Sequence, residues 1–287
     1  VVYVSGETKI TGIFGSPVAH SLSPAMHNAA FAALSLPFAY VPFHVSQENL
    51  PAAVTAVRAL QLAGVNLTVP HKEAVLPCLD LLDHTAASCG AVNTVVNRSG
   101  TLTGYNTDTG GFLDALRLDA GFEPGGKKAV VLGAGGAARA VVAALLQAEA
   151  AEIVLLNRSP DRAQALAADV QKRMDTSKTL LSALPLTGNL QEPLLGAGLV
   201  VNALSVSFLR EGKWLADLRP AAGALFFDLR YGAGAADFLA LAKELASPAV
   251  DGLAMLLYQG ARAFRLFTGE EPPLDVMCRA LFAAARR

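Results

Sequence analysis

Lys127-Lys128-Ala129-Val130-Val131-Leu132-Gly133-Ala134-Gly135-Gly136-Ala137-Ala138-Arg139 is the stretch that decides the fold. Ala129 to Leu132 is a short apolar run between polar residues and a glycine, the pattern of a buried parallel strand. A Gly-x-Gly-x-x-Ala turn follows, and Arg139 to Leu146 continues as an Ala- and Leu-rich helix. In such a turn Gly133 permits the tight bend. Gly135 leaves room for a pyrophosphate against the backbone, and Ala138 lets helix and strand pack closely. The amides opening the helix, with its dipole, suit phosphate. Gly133, Ala134, Gly135, Gly136 and Ala137 are therefore candidate dinucleotide ligands. A glycine fingerprint alone is weak, but strand before and helix after is the context that it requires.

The next strand selects the dinucleotide. Ile153-Val-Leu-Leu156 ends at Asn157-Arg158-Ser159-Pro160-Asp161-Arg162. An NAD site usually carries a carboxylate about 20 residues past the glycines, on the ribose 2′-hydroxyl. This chain places Asn157, Arg158 and Ser159 there, with Arg162 one turn on. Guanidinium groups bind a 2′-phosphate through forked hydrogen bonds, and a carboxylate would repel it. Asp161 falls in a helix start, where it favours the dipole. The expected cofactor is NADP. The competing reading makes both arginines solvated surface charges.

A chain of 287 residues predicts about two domains. With 53% hydrophobic residues, much of them Ala, it can build substantial cores. The apolar-looking region 129–156 is interrupted by Arg139, Gln147, Glu149 and Glu152, so no membrane span is expected. A formal net charge of −1 gives no reason to expect a nucleic-acid partner. Val1-Val2-Tyr3-Val4 lacks the basic start and apolar core of a signal peptide, and without an initiating Met the natural start is expected to be trimmed. Cys78, Cys89 and Cys278 are too scattered for a disulfide framework or a metal site. They are expected to be buried apolar residues in a reducing, cytoplasmic setting.

Before the fingerprint, short apolar strands alternate with Ala-rich helices. Thr11–Gly15, a helix near 24–34, Ala39–Phe43, a helix near 47–59 and Gly64–Val69 predict an α/β domain with a largely parallel sheet. Later strands are expected at Leu199–Val201 and Ala224–Asp228, junctions at 121–126 and Ser247-Pro248, and two final helices around 268–273.

Polar clusters interrupt these patterns. Ser21-Leu-Ser23-Pro24 suits a helix cap, which accounts for one serine but not two. Asn66 and Thr68 alternate onto one face of a strand that runs into Pro70-His71-Lys72. Asn93-Thr94-Val95 follows. Asn106-Thr107-Asp108 before Gly110-Gly111 could be a turn and a cap. Gln259 sits on an otherwise apolar helix and needs partners. Each has a purely structural explanation when taken alone.

Together, and in this order, these clusters resemble the shikimate dehydrogenase family. The resemblance rests on Ser21-Leu-Ser23-Pro, Asn66-Leu-Thr68-Val-Pro-His-Lys72, Asn93-Thr-Val, Gly104-Tyr-Asn-Thr-Asp108-Thr-Gly-Gly, Gly133-Ala-Gly-Gly-Ala-Ala-Arg139, Asn157-Arg158-Ser-x-x-Arg162 and Asp251-Gly-Leu-Ala-Met255-x-x-x-Gln259. It implies a two-domain α/β protein: a substrate domain of residues 1–107 with returning helices 252–287, and a Rossmann-like NADP domain of residues 108–251, separated by a deep cleft. It implies reversible reduction of 3-dehydroshikimate to shikimate with NADPH, by a monomer or homodimer without a metal. By position, Lys72 and Asp108 would be the catalytic pair. Ser21, Ser23, Asn66, Thr68, Asn93 and Gln259 would hold the substrate, Tyr231 would approach it from the cofactor domain, and Leu229 and Gly252 would lie beside the cofactor. The chemistry suits these groups: the alkoxide left by hydride transfer needs a proton, which an ammonium supplies and a carboxylate orients.

The chain departs from the family pattern near the expected nicotinamide site. Asn202-Ala203-Leu204-Ser205 stands where the family has Asn-Ala-Thr-Ser, so Leu204 brings no hydroxyl. Phe227-Asp228-Leu229-Arg230-Tyr231-Gly232-Ala233 replaces Tyr-Asp-Met-x-Tyr-Asn-Pro, with a more flexible Gly-rich turn. Three alternatives stay open: a broad-specificity quinate/shikimate dehydrogenase, a catalytically silent sensor of the same fold, and a Rossmann-like folate dehydrogenase, which lacks the serine pair.

Overall fold

The computed structural model describes residues 4–186, 190–205 and 223–286; the Val1–Tyr3 start lies outside them. The chain divides into two compact units, Val1–Gly111 with Leu256–Arg287, and Phe112–Met255.

The first unit is built on strands β1 (Lys9–Gly15), β2 (Phe38–His44), β3 (Gly64–Leu67), β4 (Leu81–Leu82), β5 (Thr94–Arg98) and β6 (Thr101–Tyr105). Their order across the sheet is β2-β1-β3-β5-β6-β4. Helices α1 (Ser23–Ala33), α2 (Leu50–Ala59), α3 (His71–Ala74), α4 (His84–Cys89) and α5 (Asp108–Asp114) follow the strands. β1 is buried from Thr11 to Gly15 because both faces of the sheet are covered, which is why it reads as a continuous apolar run. On one face Phe14, Val54, Val57, Val65, Leu67, Val95 and Leu102 form a core.

β1 pairs in parallel with β2 and β3, and β4 with β6, whereas β3–β5 and β5–β6 are antiparallel. The β5–β6 pair is a hairpin not expected from the sequence. Ser99 (φ 52°) and Gly100 (φ 90°) make its two-residue turn, and two positive φ values are what a type I′ hairpin requires. The Ser-Gly dipeptide was the available signal.

The second unit carries β7 (Lys128–Leu132), β8 (Glu152–Asn157), β9 (Leu180–Pro185), β10 (Leu199–Asn202), β11 (Leu225–Asp228) and β12 (Ala249–Val250). Every pairing in the order β12-β11-β10-β7-β8-β9 is parallel. Read from β9, this is the doubly wound 3-2-1-4-5-6 order of dinucleotide folds, with its reversal between β7 and β10. Helices α6 (Gly136–Gln147), α7 (Pro160–Arg173), α8 (Gln191–Leu194) and α9 (Ala236–Glu244) connect the strands. α6 starts at Gly136, three residues before the expected Arg139, and is buried almost throughout, so its small residues pack closely on the sheet. β9 is an exposed edge without clean alternation and β12 has two residues, so neither gave a sequence signal. Ser247-Pro248, expected as a junction, joins α9 to β12.

The chain ends in α10 (Leu253–Thr268) and α11 (Leu274–Ala285). From α10, Phe264 and Phe267 meet His27 and Phe264 also meets Phe31, both on α1, closing the other face of the first sheet. Cys89 is buried as expected, but Cys78 and Cys278 are only partly so. No described helix is long and apolar enough to cross a membrane.

Candidate active site

Register brings the first group of side chains together. Asn66 on β3 lies directly across from Thr94 on β5, and Thr94 lies across from Tyr105 at the end of β6. The Asn66 amide donates to Thr94 Oγ1 at 2.9 Å and to the Asn93 carbonyl at 3.2 Å. Asn93 Oδ1 accepts from the Thr107 backbone N–H at 2.8 Å. Its Nδ2 therefore faces Thr107 Oγ1 (2.8 Å), Asp108 Oδ1 (2.9 Å) and Gln259 Oε1 (3.3 Å). Gln259 Nε2 donates to the Leu256 carbonyl at 2.8 Å, so this buried amide has the partners that its position demands.

Asp108 opens α5, and its second carboxylate oxygen accepts from Lys72 Nζ at 2.6 Å. The Lys72 side chain is 15% exposed and that of Asp108 6%, so the pair is little screened by solvent yet reachable. Asn106, not Asp108, fills the capping role weighed for this turn: its Oδ1 accepts from the Thr109 N–H and hydroxyl. An ammonium has three donors. Among the described residues Asp108 takes one, and an oxygen brought to Nζ would meet a donor whose direction the carboxylate fixes.

The serines do not cap α1 in the simple way. Leu22 holds the N-cap position without a side-chain cap, and Ser21 Oγ accepts the Ser23 N–H at 3.3 Å. Ser23 is buried. Thr68 follows β3, donates its N–H to the Phe14 carbonyl at 2.9 Å and is half-buried. Sequence reasoning passed over Tyr40, which it took as part of an apolar strand. Its hydroxyl donates to Asn66 Oδ1 at 2.8 Å. It also left Thr94 and Thr107 without roles.

A second group lies in the other unit, at the carboxyl ends of β7, β8, β10 and β11. Gly133 has φ 112°, and a Cβ there would stand 2.9 Å from the Ala203 carbonyl oxygen, so both conformation and space require glycine. Gly135 is the extended N-cap of α6, and a Cβ on it would meet nothing within 4 Å. The α6 start, at Gly136 and Ala137, has no side-chain cap, so open backbone amides face that space. These features fit a dinucleotide pyrophosphate. At the end of β8, Asn157 Nδ2 donates to the Ser159 carbonyl at 3.0 Å, and Arg158, Ser159 and Arg162 are exposed.

Leu229 N–H donates to the Asn202 carbonyl, and Gly252 N–H to the Arg230 carbonyl. Tyr231 is half-buried in this same unit and leads into a 3-10 turn, Gly232–Gly234. Leu204 is 8% exposed and packs with Val130, Leu132 and Phe226, so the position that lacks a hydroxyl serves the core. Among the described residues no group of three or more His, Cys, Asp or Glu side chains is placed to hold a metal ion.

The chain is similar to known proteins along most of its length. Family models match residues 13–95 (shikimate dehydrogenase substrate binding domain), 120–187 (shikimate / quinate 5-dehydrogenase) and 252–282 (shikimate 5′-dehydrogenase C-terminal domain). A shikimate dehydrogenase (NADP(+)) of Geobacter sp. (strain M21) is 46% identical over 283 residues, covering 98% of this chain and 97% of the relative. The chain belongs to the shikimate dehydrogenase family. Another member, shikimate dehydrogenase (NADP(+)) of Desulforamulus reducens, is 45% identical, covering 97% of this chain and 96% of its own length. Within the family, the crystal structure of the Thermus thermophilus shikimate 5-dehydrogenase in complex with NADP(H) and shikimate superimposes with a TM-score of 0.83. It is 40% identical and covers 96% of this chain and 100% of that one.

Proposed function

We propose that the protein catalyses the reversible NADP-dependent reduction of 3-dehydroshikimate to shikimate, in the route to chorismate and the aromatic amino acids. The observation that carries this reading is the buried Lys72–Asp108 pair at 2.6 Å, tied through Asn93 to Gln259. A silent sensor has no use for such a pair.

In this reading NADPH, when bound, supplies the hydride to the ketone carbon. Lys72 gives its proton to the oxygen that becomes an alkoxide and stabilises the charge as it develops. Asp108 aims the ammonium and accepts a hydrogen bond from a neighbouring substrate hydroxyl. Ser21 and Ser23 donate to the substrate carboxylate, while Asn66, Thr68, Asn93 and Gln259 hold the ring hydroxyls, with Tyr231 contributed by the cofactor domain. In the oxidative direction Lys72 accepts the proton back.

Residues 1–107 with 252–287 act as the substrate domain and 108–251 as the NADP domain. Gly133, Ala134, Gly135, Gly136 and Ala137 take the pyrophosphate, Asn157, Arg158, Ser159 and Arg162 the 2′-phosphate end, and Leu229 and Gly252 the nicotinamide end. The enzyme is read as a cytoplasmic monomer or homodimer that acts on small molecules and binds no nucleic acid.

The test is spectrophotometric formation of NADPH with shikimate, repeated with quinate and with NAD. Shikimate oxidation with NADP in clear preference is the expected result. Equal rates on quinate would replace this reading by a broad-specificity enzyme, and no turnover of either would overturn it.

A further inference from the structure

Proton bookkeeping fixes the direction of every hydrogen bond around Tyr40. A carbonyl oxygen can only accept, so the Asn66 side chain must turn its nitrogen toward the Asn93 carbonyl, 3.2 Å away. That leaves Asn66 Oδ1 facing the Tyr40 hydroxyl at 2.8 Å, and the tyrosine must be the donor. Tyr40 is 1% exposed, and burial holds its phenol far above the usual range, so it keeps its proton. Its single proton is committed to Asn66.

The ring that carries this hydroxyl is held firmly. It stacks on His27 with centroids 4.4 Å apart and planes 1° from parallel. Asn28 brackets its backbone, accepting the Tyr40 N–H at 2.8 Å and donating to the Tyr40 carbonyl at 2.9 Å.

We propose that Tyr40 is a positioning residue of the substrate site, fixing what Asn66 can offer a ligand. Both protons of the Asn66 amide are spent on Asn93 and Thr94, so Asn66 meets substrate only through Oδ1, as an acceptor of a substrate hydroxyl. Tyr40 locks that orientation. The inference rests on the substrate role proposed for Asn66, and it adds a residue that never touches the ligand.

Tyr40→Phe keeps the ring on His27 and removes only the hydroxyl. The expected result is a rise of about tenfold in the KM for shikimate, the equivalent of one hydrogen bond of about 1.4 kcal/mol. The kcat stays within about threefold and the KM for NADP is unchanged, since Lys72 and Asp108 are untouched. In a cycle with Asn66→Ala, the double variant should raise KM by clearly less than the product of the two single effects, because both substitutions break one contact. A merely structural tyrosine would lower the melting temperature and leave the shikimate KM within twofold, roughly the noise of such an assay, and that result overturns the proposal. Strict additivity would overturn the link to Asn66. Absence of shikimate oxidation by the unmutated protein would strike the functional reading itself, whereas normal wild-type turnover with an unchanged Tyr40→Phe KM strikes only Tyr40.

Discussion

Replacing His27 by Phe should flatten the acid side of the stability profile. His27 is fully buried, and among the described residues neither ring nitrogen has a hydrogen-bond partner. Its neighbours are the rings of Tyr40, Phe31, Phe264 and Phe267. Burial with no compensating acceptor pushes its pKa from 6.5 down to about 3. Between those two values the unfolded chain binds a proton at this position and the folded chain does not. Stability therefore rises with pH across the window and is lost as pH falls through it. The slope approaches about 1.4 kcal/mol per pH unit, and the integrated loss from about pH 7.5 to about pH 4.5 is about 2.5 kcal/mol. His27→Phe has no titrating group there, so its urea-derived stability, followed by far-UV circular dichroism, should lose about that much less over the same interval. Any constant packing cost of the larger ring cancels in the comparison. Parallel profiles for the two proteins, within about 0.5 kcal/mol, would show that His27 is protonated or solvated in the native state and refute the argument.

Lys72→Ala should lower kcat for shikimate at least ~100-fold while calorimetry shows shikimate binding nearly intact, and near-normal turnover would sink its assignment as the proton donor. Asp108→Asn should also lose turnover, with a larger rise in KM, because the same carboxylate holds both Lys72 and Asn93. Arg158→Ala should raise the KM for NADP about tenfold and leave NAD almost unaffected, since only NADP carries the phosphate, and an equal loss for both would make this arginine a simple surface charge. Gly252→Ala would place a Cβ 2.2 Å from the Leu229 carbonyl oxygen and 2.7 Å from its carbon, backbone atoms with little room to yield. Strain of about 1–3 kcal/mol should appear as a lower melting temperature, and an unchanged melting curve would mean that the turn relaxes freely.

Whatever is local or periodic in this protein is legible in the chain alone. The apolar run before Gly133, the fingerprint turn and the helix after it are contiguous, and their residue types admit few other conformations. Asn157-Arg158 after the next strand likewise carried the cofactor reading without any long-range contact. The motif residues were visible as polar interruptions of apolar patterns, which is why they could be named before their partners were known.

Their meeting was not written locally. Lys72 and Asp108 are 36 residues apart, Asn66 and Thr94 28, and Asn93 and Gln259 166. They converge because β3 pairs with β5 and not with β4, and because the Ser99-Gly100 hairpin turns β6 back beside β5. Strand order depends on how whole faces bury against one another, and no window of a few residues encodes it. Tyr40 and His27 make the same point: they fall in a strand and a helix of the expected pattern, and neither was singled out in the sequence. Packing alone brings the hydroxyl of one to Asn66, and puts the imidazole of the other where water cannot reach it. The directions of those hydrogen bonds, like the protonation state of His27, follow from which groups are shut in together, and that is a property of the assembled fold.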